Sequence, residues 1–198
     1  MKTTTAILAA ACLTGSAFAG ERVAKTYKAP EPIECFRAGE WQLDLFGQWT
    51  DGNAPDHAGP IRDHGWGGGV GVNYFFTRNW GIGIDGSWLA AEEPNYGLTL
   101  AGPVAPTTRR TAIHHYTSSL IYRFPIDSIC LAPYIYAGGG VAVDGKQWAA
   151  GHAGVGVEKR LSHSVGIFTD GRWTYYGNRF GAGDQNNISV RVGVRVVF

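Results

Sequence analysis

Residues 187–198, NISVRVGVRVVF, constrain this chain more than any other stretch. Ile188, Val190, Val192, Val194, Val196 and Phe198 share one parity, while Ser189, Arg191, Gly193 and Arg195 share the other. Successive side chains of a β-strand point to opposite faces, so this period makes one face wholly apolar and gives the other two arginines. A soluble sandwich strand also alternates, with the apolar side in its core. It seldom has an apolar face this complete and then closes on an aromatic residue. Lipid against one face and a polar interior against the other fits better.

Composition agrees. Charged residues are 17% of the 198, and there are 29 glycines; soluble domains carry about 25% charge and about half as much glycine. Mean hydropathy is nevertheless only -0.10. Low charge without high hydropathy is what alternating strands produce, whereas membrane helices raise the mean. A net charge of +1 argues against a nucleic-acid partner, which calls for a basic excess.

Eight runs of this kind are predicted, at residues 41–50, 65–76, 80–90, 111–124, 131–143, 147–158, 163–176 and 187–198. The fourth is weakened by His114 and Ser118 on the parity of Tyr116 and Leu120. In the fifth, Tyr134 and Tyr136 compete with Leu131, Ile135, Val141 and Val143 for the outer face. The connections alternate long and short, as in barrels with external loops and periplasmic turns, except that the external loop after run five is short. A long loop is predicted over residues 91–110 and a turn over 159–162.

Charge sharpens the reading. Asp44, Asp85, Arg123, Glu158, Asp170, Arg172, Arg191 and Arg195 lie within the runs, and all oppose the apolar parity. A cation facing lipid at midplane would cost about 2–4 kcal/mol. Aromatic residues on the apolar parity sort to the run ends. Trp41, Tyr74, Phe76, Trp80, Tyr122 and Phe198 fall at one end; Trp49, Trp66, Trp88, Tyr116, Trp173 and Tyr175 fall at the other. The eight-residue spacings Trp41 to Trp49 and Trp80 to Trp88 span roughly 20 Å along tilted strands, close to an apolar band between two aromatic girdles. A soluble core has no reason for such sorting. The fold class expected is all-β, an eight-stranded antiparallel up-and-down transmembrane barrel.

The N-terminus reads as an export signal over residues 1–19, with Lys2, an apolar run from Ala6 to Leu13, and Ala17-Phe18-Ala19 as the cleavage pattern. Leu8 lies one position too far from Cys12 for a lipoprotein box. Residues 20–39 follow as an irregular periplasmic tail, then the barrel at 40–198. Cys35 and Cys130 remain as an even pair in an oxidising compartment, before strands one and five on the same side, so a disulfide is permitted if their Cα atoms come within about 7 Å.

Pro133 to Gly140 (PYIYAGGG), Gly154 to Glu158 (GVGVE) and the terminal VRVVF carry a likeness to a known family. Residues 40–198 resemble eight-stranded outer-membrane barrels of the outer membrane protein A transmembrane-domain and opacity-antigen type. The resemblance implies a Gram-negative-type outer membrane, with its lipid and lipopolysaccharide as partners. The terminal Phe is similar to the signal read by the barrel-assembly machinery. The peptidoglycan-binding domain of some relatives is not expected, since the chain stops at the final strand.

An eight-stranded barrel is just wide enough to be filled by side chains. Four inward acids balance four inward arginines, and depth along the strands brings Asp44 toward Arg195 and Asp170 toward Arg191. A structural ionic plug is the favoured reading; gating of a narrow, porin-like pore for ions or small solutes is the alternative. Gly67-Gly68-Gly69-Val70-Gly71 continues as a strand with no following helix, which favours close packing over nucleotide binding. Asp56, His57, Asp63 and His64 match no metal-ligand spacing, and no cofactor is expected. His163 and Ser164 are adjacent, so they face opposite ways; His115 and Ser119 face inward, but no acid is placed to orient the histidine. A lipid-modifying enzyme is thus the least favoured of three readings, and no catalytic residue is assigned. External Arg62, Arg109, Arg110, Lys146 and Arg179 offer contacts to lipopolysaccharide phosphates, with ordinary loop solvation as the bland alternative. The ligand of the external loops is not readable.

Overall fold

The computed structural model describes residues 34–53, 64–95, 98–99, 102–103, 107–145, 147–177 and 185–198. Eight long strands follow the periodicity: β1 (Glu40–Asn53), β2 (His64–Phe75), β3 (Trp80–Asn95), β4 (Thr107–Arg123), β5 (Leu131–Val143), β6 (Gln147–Arg160), β7 (Val165–Tyr176) and β8 (Gln185–Val197). Each pairs antiparallel with its chain neighbours, and β1 pairs with β8 to close the barrel. The expected all-β, eight-stranded up-and-down architecture is therefore the one found. At the closing seam Asp44 lies opposite Arg195 and Gln48 opposite Arg191. Phe198 N donates to Trp41 O at 2.9 Å, and Trp41 N to Phe198 O at 3.4 Å.

Two of the short connections are built by one hydroxyl each. Thr77 Oγ1 accepts from the backbone N–H groups of Asn79 and Trp80, and Ser162 Oγ from those of Ser164 and Val165. Such side-chain bonds replace the backbone partners that a tight turn leaves unpaired. A third short connection at the same mouth carries a single 3₁₀ turn, Asp127–Ile129, ending at Cys130. These three lie at one mouth, called here the turn end; the opposite mouth is the loop end.

Several boundaries differ from the sequence reading. Residues predicted as loop at 91–95 and 107–110 extend β3 and β4 as a paired ribbon, from Ala91 opposite Thr111 to Asn95 opposite Thr107. A long hairpin needs no apolar face to keep its backbone bonds, so alternation missed it. Lys159 and Arg160, predicted to turn, complete β6, while His163 and Ser164, placed in run seven, belong to the turn before β7.

The two faces separate cleanly. Leu45, Ile84, Val155, Ile188 and Val192 are exposed on the outside. Such an apolar belt around a closed barrel is unsuited to water and suited to lipid. Among the described residues no helix is long and apolar enough to cross a membrane.

Candidate functional site: the barrel lumen

The lumen is built in tiers because inward residues recur every second position. Midway, Asp170 of β7 accepts from Arg191 of β8 through Nε and Nη2, both at 2.8 Å, and from the hydroxyls of Tyr134 and Tyr136 of β5, both at 2.9 Å. Beside it Arg172 donates to Asp85 at 2.8 and 3.2 Å, and Thr117 Oγ1 donates to the same carboxylate at 2.8 Å. Nearer the turn end Arg195 holds Asp44 in a two-pronged contact, Nε to Oδ1 at 2.6 Å and Nη2 to Oδ2 at 2.7 Å. Its third nitrogen reaches Glu158, and Asn73 adds a bond to Asp44 at 2.8 Å. At the turn end Glu40 takes Arg123 Nη1 at 2.9 Å and also bonds Arg160 Nη2. These carboxylates and guanidiniums are buried, apart from Asp85, which keeps slight exposure, and burial of charge is tolerable only with such pairing and hydrogen bonding.

Rings fill what the ion pairs leave. The guanidinium of Arg123 lies 3.8 Å from the ring centre of Phe75, that of Arg195 is 4.8 Å from Phe168, and that of Arg191 is 5.0 Å from Phe46. Cations over aromatic faces gain from the ring quadrupole. Space for Tyr134 and Tyr136 comes from glycine on the adjoining strand. A Cβ on Gly154 would sit 2.4 Å from Tyr136, and one on Gly156 would sit 2.5 Å from Tyr134. Toward the loop end the chemistry changes, and Leu89, Ile113, Ala142, Trp148, Ala150 and Tyr176 form an apolar cluster inside the barrel. His115 joins it through Tyr176, Oη to Nε2 at 2.9 Å.

No family model and no curated protein matches the sequence. Solved structures do match. Neisserial surface protein A superposes with a TM-score of 0.60 at 15% identity, covering 80% of this chain and 98% of that one. The outer membrane protein OprG of Pseudomonas aeruginosa gives 0.53 at 11% identity over 82% and 97%. Ail, the attachment invasion locus protein of Yersinia pestis, solved in complex with the heparin analogue sucrose octasulfate, gives 0.52 at 12% over 81% and 99%. This chain has the eight-stranded outer-membrane barrel fold.

Within that outer-membrane barrel fold, all eight charged residues singled out from the sequence face the lumen. Asp44 meets Arg195, Asp170 meets Arg191, Asp85 meets Arg172, and Glu158 meets Arg195. Arg123 has a partner that sequence reasoning missed, Glu40, and Arg160 was missed with it. Adding these two makes five acids and five arginines. The signal was present: Glu40 continues the parity of Gln42 and Asp44, and Arg160 that of Glu158, but Glu40 lies one residue and Arg160 two residues beyond the run ends assigned to them. Tyr134 and Tyr136 resolve inward, leaving Ile135 and Val141 outside.

The expected girdle residues all lie on the outer face. Trp41 and Tyr74 sit 4.7 Å apart between ring centres, as do Trp80 and Tyr122; Trp49 and Trp66 are 6.5 Å apart at the other end, and Trp173 and Tyr175 6.4 Å. Trp88, Tyr116 and Phe198 are exposed. Outward His114 and Ser118 keep the fourth strand's mixed face, and Ser118 Oγ donates to the neighbouring Gly139 O at 3.3 Å.

Ser119 does not pair with His115. It meets His152 Nε2 at 2.8 Å, from two strands away across Gly138, which has no side chain to intervene. His152 is buried. Cys35 and Cys130 form a disulfide with Cα atoms 5.4 Å apart. Asp56, His57, Arg62, Asp63, Lys146 and Arg179 lie outside the described residues, as does the predicted export signal. Arg109 and Arg110 fall on the ribbon opposite Glu93 and Glu92.

Proposed function

We propose that this chain is an integral protein of the bacterial outer membrane whose lumen is sealed by its own side chains, and which acts as a structural or surface-interaction protein through the loops at its loop end. The turn end then faces the periplasm, and the aromatic pairs lie at the two lipid interfaces. The carrying observation is the lumen. Its acids and arginines pair with one another across strands β1, β3, β4, β6, β7 and β8, and an apolar cluster lies above them. A conducting path needs hydrated, incompletely paired groups; bidentate, ring-stacked ion pairs supply neither.

The loop basics, Arg62, Arg109, Arg110, Lys146 and Arg179, suit anionic partners such as lipopolysaccharide phosphates. The structure of Ail with a sulfated sugar gives one example of this fold meeting a polyanion. A lipid-modifying role has less support, because the Ser119–His152 pair faces the lumen and its histidine is buried.

Solute release from liposomes containing the refolded mature barrel tests the reading, with Asp170→Ala beside the parent. The parent is expected to retain small solutes. If it leaks, and Asp170→Ala alters the rate, the interior charges line a narrow pore and that function replaces the sealed barrel.

A further inference from the structure

The segment before β1 is held at the turn end by four kinds of contact. Phe36 is fully buried although it belongs to no strand. Its ring lies 5.0 and 5.2 Å from the guanidinium carbons of Arg123 and Arg160. The backbone is gripped as well: Arg78 Nε donates to Phe36 O at 3.2 Å and Arg123 Nη2 to Arg37 O at 3.0 Å. Gly39, with a φ of 74° that favours glycine, turns the chain into β1 and donates its N–H to Phe75 O at 2.8 Å. Finally the disulfide ties Cys35 to Cys130, 95 residues away.

Cys130 is placed unusually. Its φ of 50° makes it the one non-glycine with positive φ among the described residues, a region that side chains with a Cβ rarely occupy. Its carbonyl accepts from Arg160 N at 2.9 Å, so it is fixed to the end of β6. Beside the disulfide a cavity of about 220 Å³ opens at the rim, lined by Cys35, Cys130, Arg160, Leu161, Ser162 and His163. Both cysteines are partly exposed. A buried structural disulfide would show neither the opening nor the exposure.

We propose that Cys35–Cys130 is a thiol–disulfide exchange site, addressed from this cavity by a dithiol reductant, and that it latches residues 34–39 across the turn-end mouth. The exchange balances as two displacements. A thiolate of the reductant attacks one cysteine sulfur, the Cys35–Cys130 bond breaks, and a mixed disulfide forms while the other cysteine leaves as thiolate and takes up a proton. The reductant's second thiolate then attacks its own bonded sulfur and expels the remaining cysteine, which is protonated in turn. The reductant ends as a disulfide and the latch as two thiols. What then holds the segment is one ring in its pocket and a few hydrogen bonds, the kind of local contact that opens without disturbing the barrel.

The folded mature barrel in lipid vesicles can be tested directly, with and without dithiothreitol as the dithiol. Trypsin cleavage after Arg37, whose carbonyl is tied down in the docked segment, is read by mass spectrometry. Maleimide labelling of both cysteines and β-strand circular dichroism are followed in parallel. The expected result is slow cleavage in the oxidised protein, and at least about tenfold faster cleavage once both cysteines label, with the strand signal unchanged. Cys35→Ser with Cys130→Ser should cleave like the reduced parent; should that variant not fold, reduction of the parent decides alone. Equal cleavage in both redox states overturns the latch. Labelling that begins only when the strand signal is lost overturns the exchange site.

Discussion

The two ends of the lumen are lined by opposite chemistry. At the turn end Glu40 bonds Arg123 and Arg160, with Phe36 and Phe75 against the guanidinium planes. At the loop end Leu89, Ile113, Ala142, Trp148, Ala150 and Tyr176 close over one another. The difference is in how each lining tolerates error. An apolar cluster loses stability in proportion to the atoms removed, and its neighbours can relax into the gap. A buried ion pair does not degrade gradually, because deleting one partner leaves the other charged, dry and unmatched. The turn end and middle tiers are therefore specified residue by residue, and the loop end mostly by volume.

The sharpest way to break that comparison is at the centre of the ionic part. Asp170→Ala strips Arg191, Tyr134 and Tyr136 of their shared acceptor and should cost about 3–5 kcal/mol, measured by urea unfolding in vesicles. Adding Arg191→Met should restore much of the loss; if it restores nothing, the stranded charge is not the cause. A smaller effect is expected from Leu89→Ala in the apolar cluster, about 3 kcal/mol, seen as a lower denaturation midpoint that no charge substitution rescues. Gly154→Ala should cost least, about 1–3 kcal/mol, because its methyl would press on the Tyr136 ring and on Gly171 O. Its unfolding rate against the parent's gives the measurement.

The outer face was legible because it answers to one requirement, and Ile188 to Phe198 state it six times over. Inward charge was legible for the same reason. Tyr134 and Tyr136 were not, since an aromatic residue suits an interface girdle and a lumen equally well. What sends them inward is Asp170 two strands away, together with the space left by Gly154 and Gly156 on the strand between. Such a coincidence across strands has no trace in the local pattern. The Ser119–His152 contact across Gly138 was hidden in the same way. Glu40 and Arg160 show a different limit: a period has no inherent end, so the charges at the first position of β1 and the last position of β6 were left outside the runs assigned to those strands.

The seam between β1 and β8 also bears on the order of folding. Asp44 and Arg195 are 151 positions apart in sequence, whereas β1–β2 through β7–β8 are hairpins between consecutive strands. The hairpins can zip locally at small entropic cost, but the seam must close the largest loop in the molecule. Until it does, Arg195 lacks the carboxylate it grips with two nitrogens, and β1 and β8 both present open edges. Ring closure, completion of that guanidinium's pairing and loss of the last free edge are thus one event, so a barrel caught just short of completion would be both sticky and incompletely paired inside, the species an assembly catalyst would have most reason to shield.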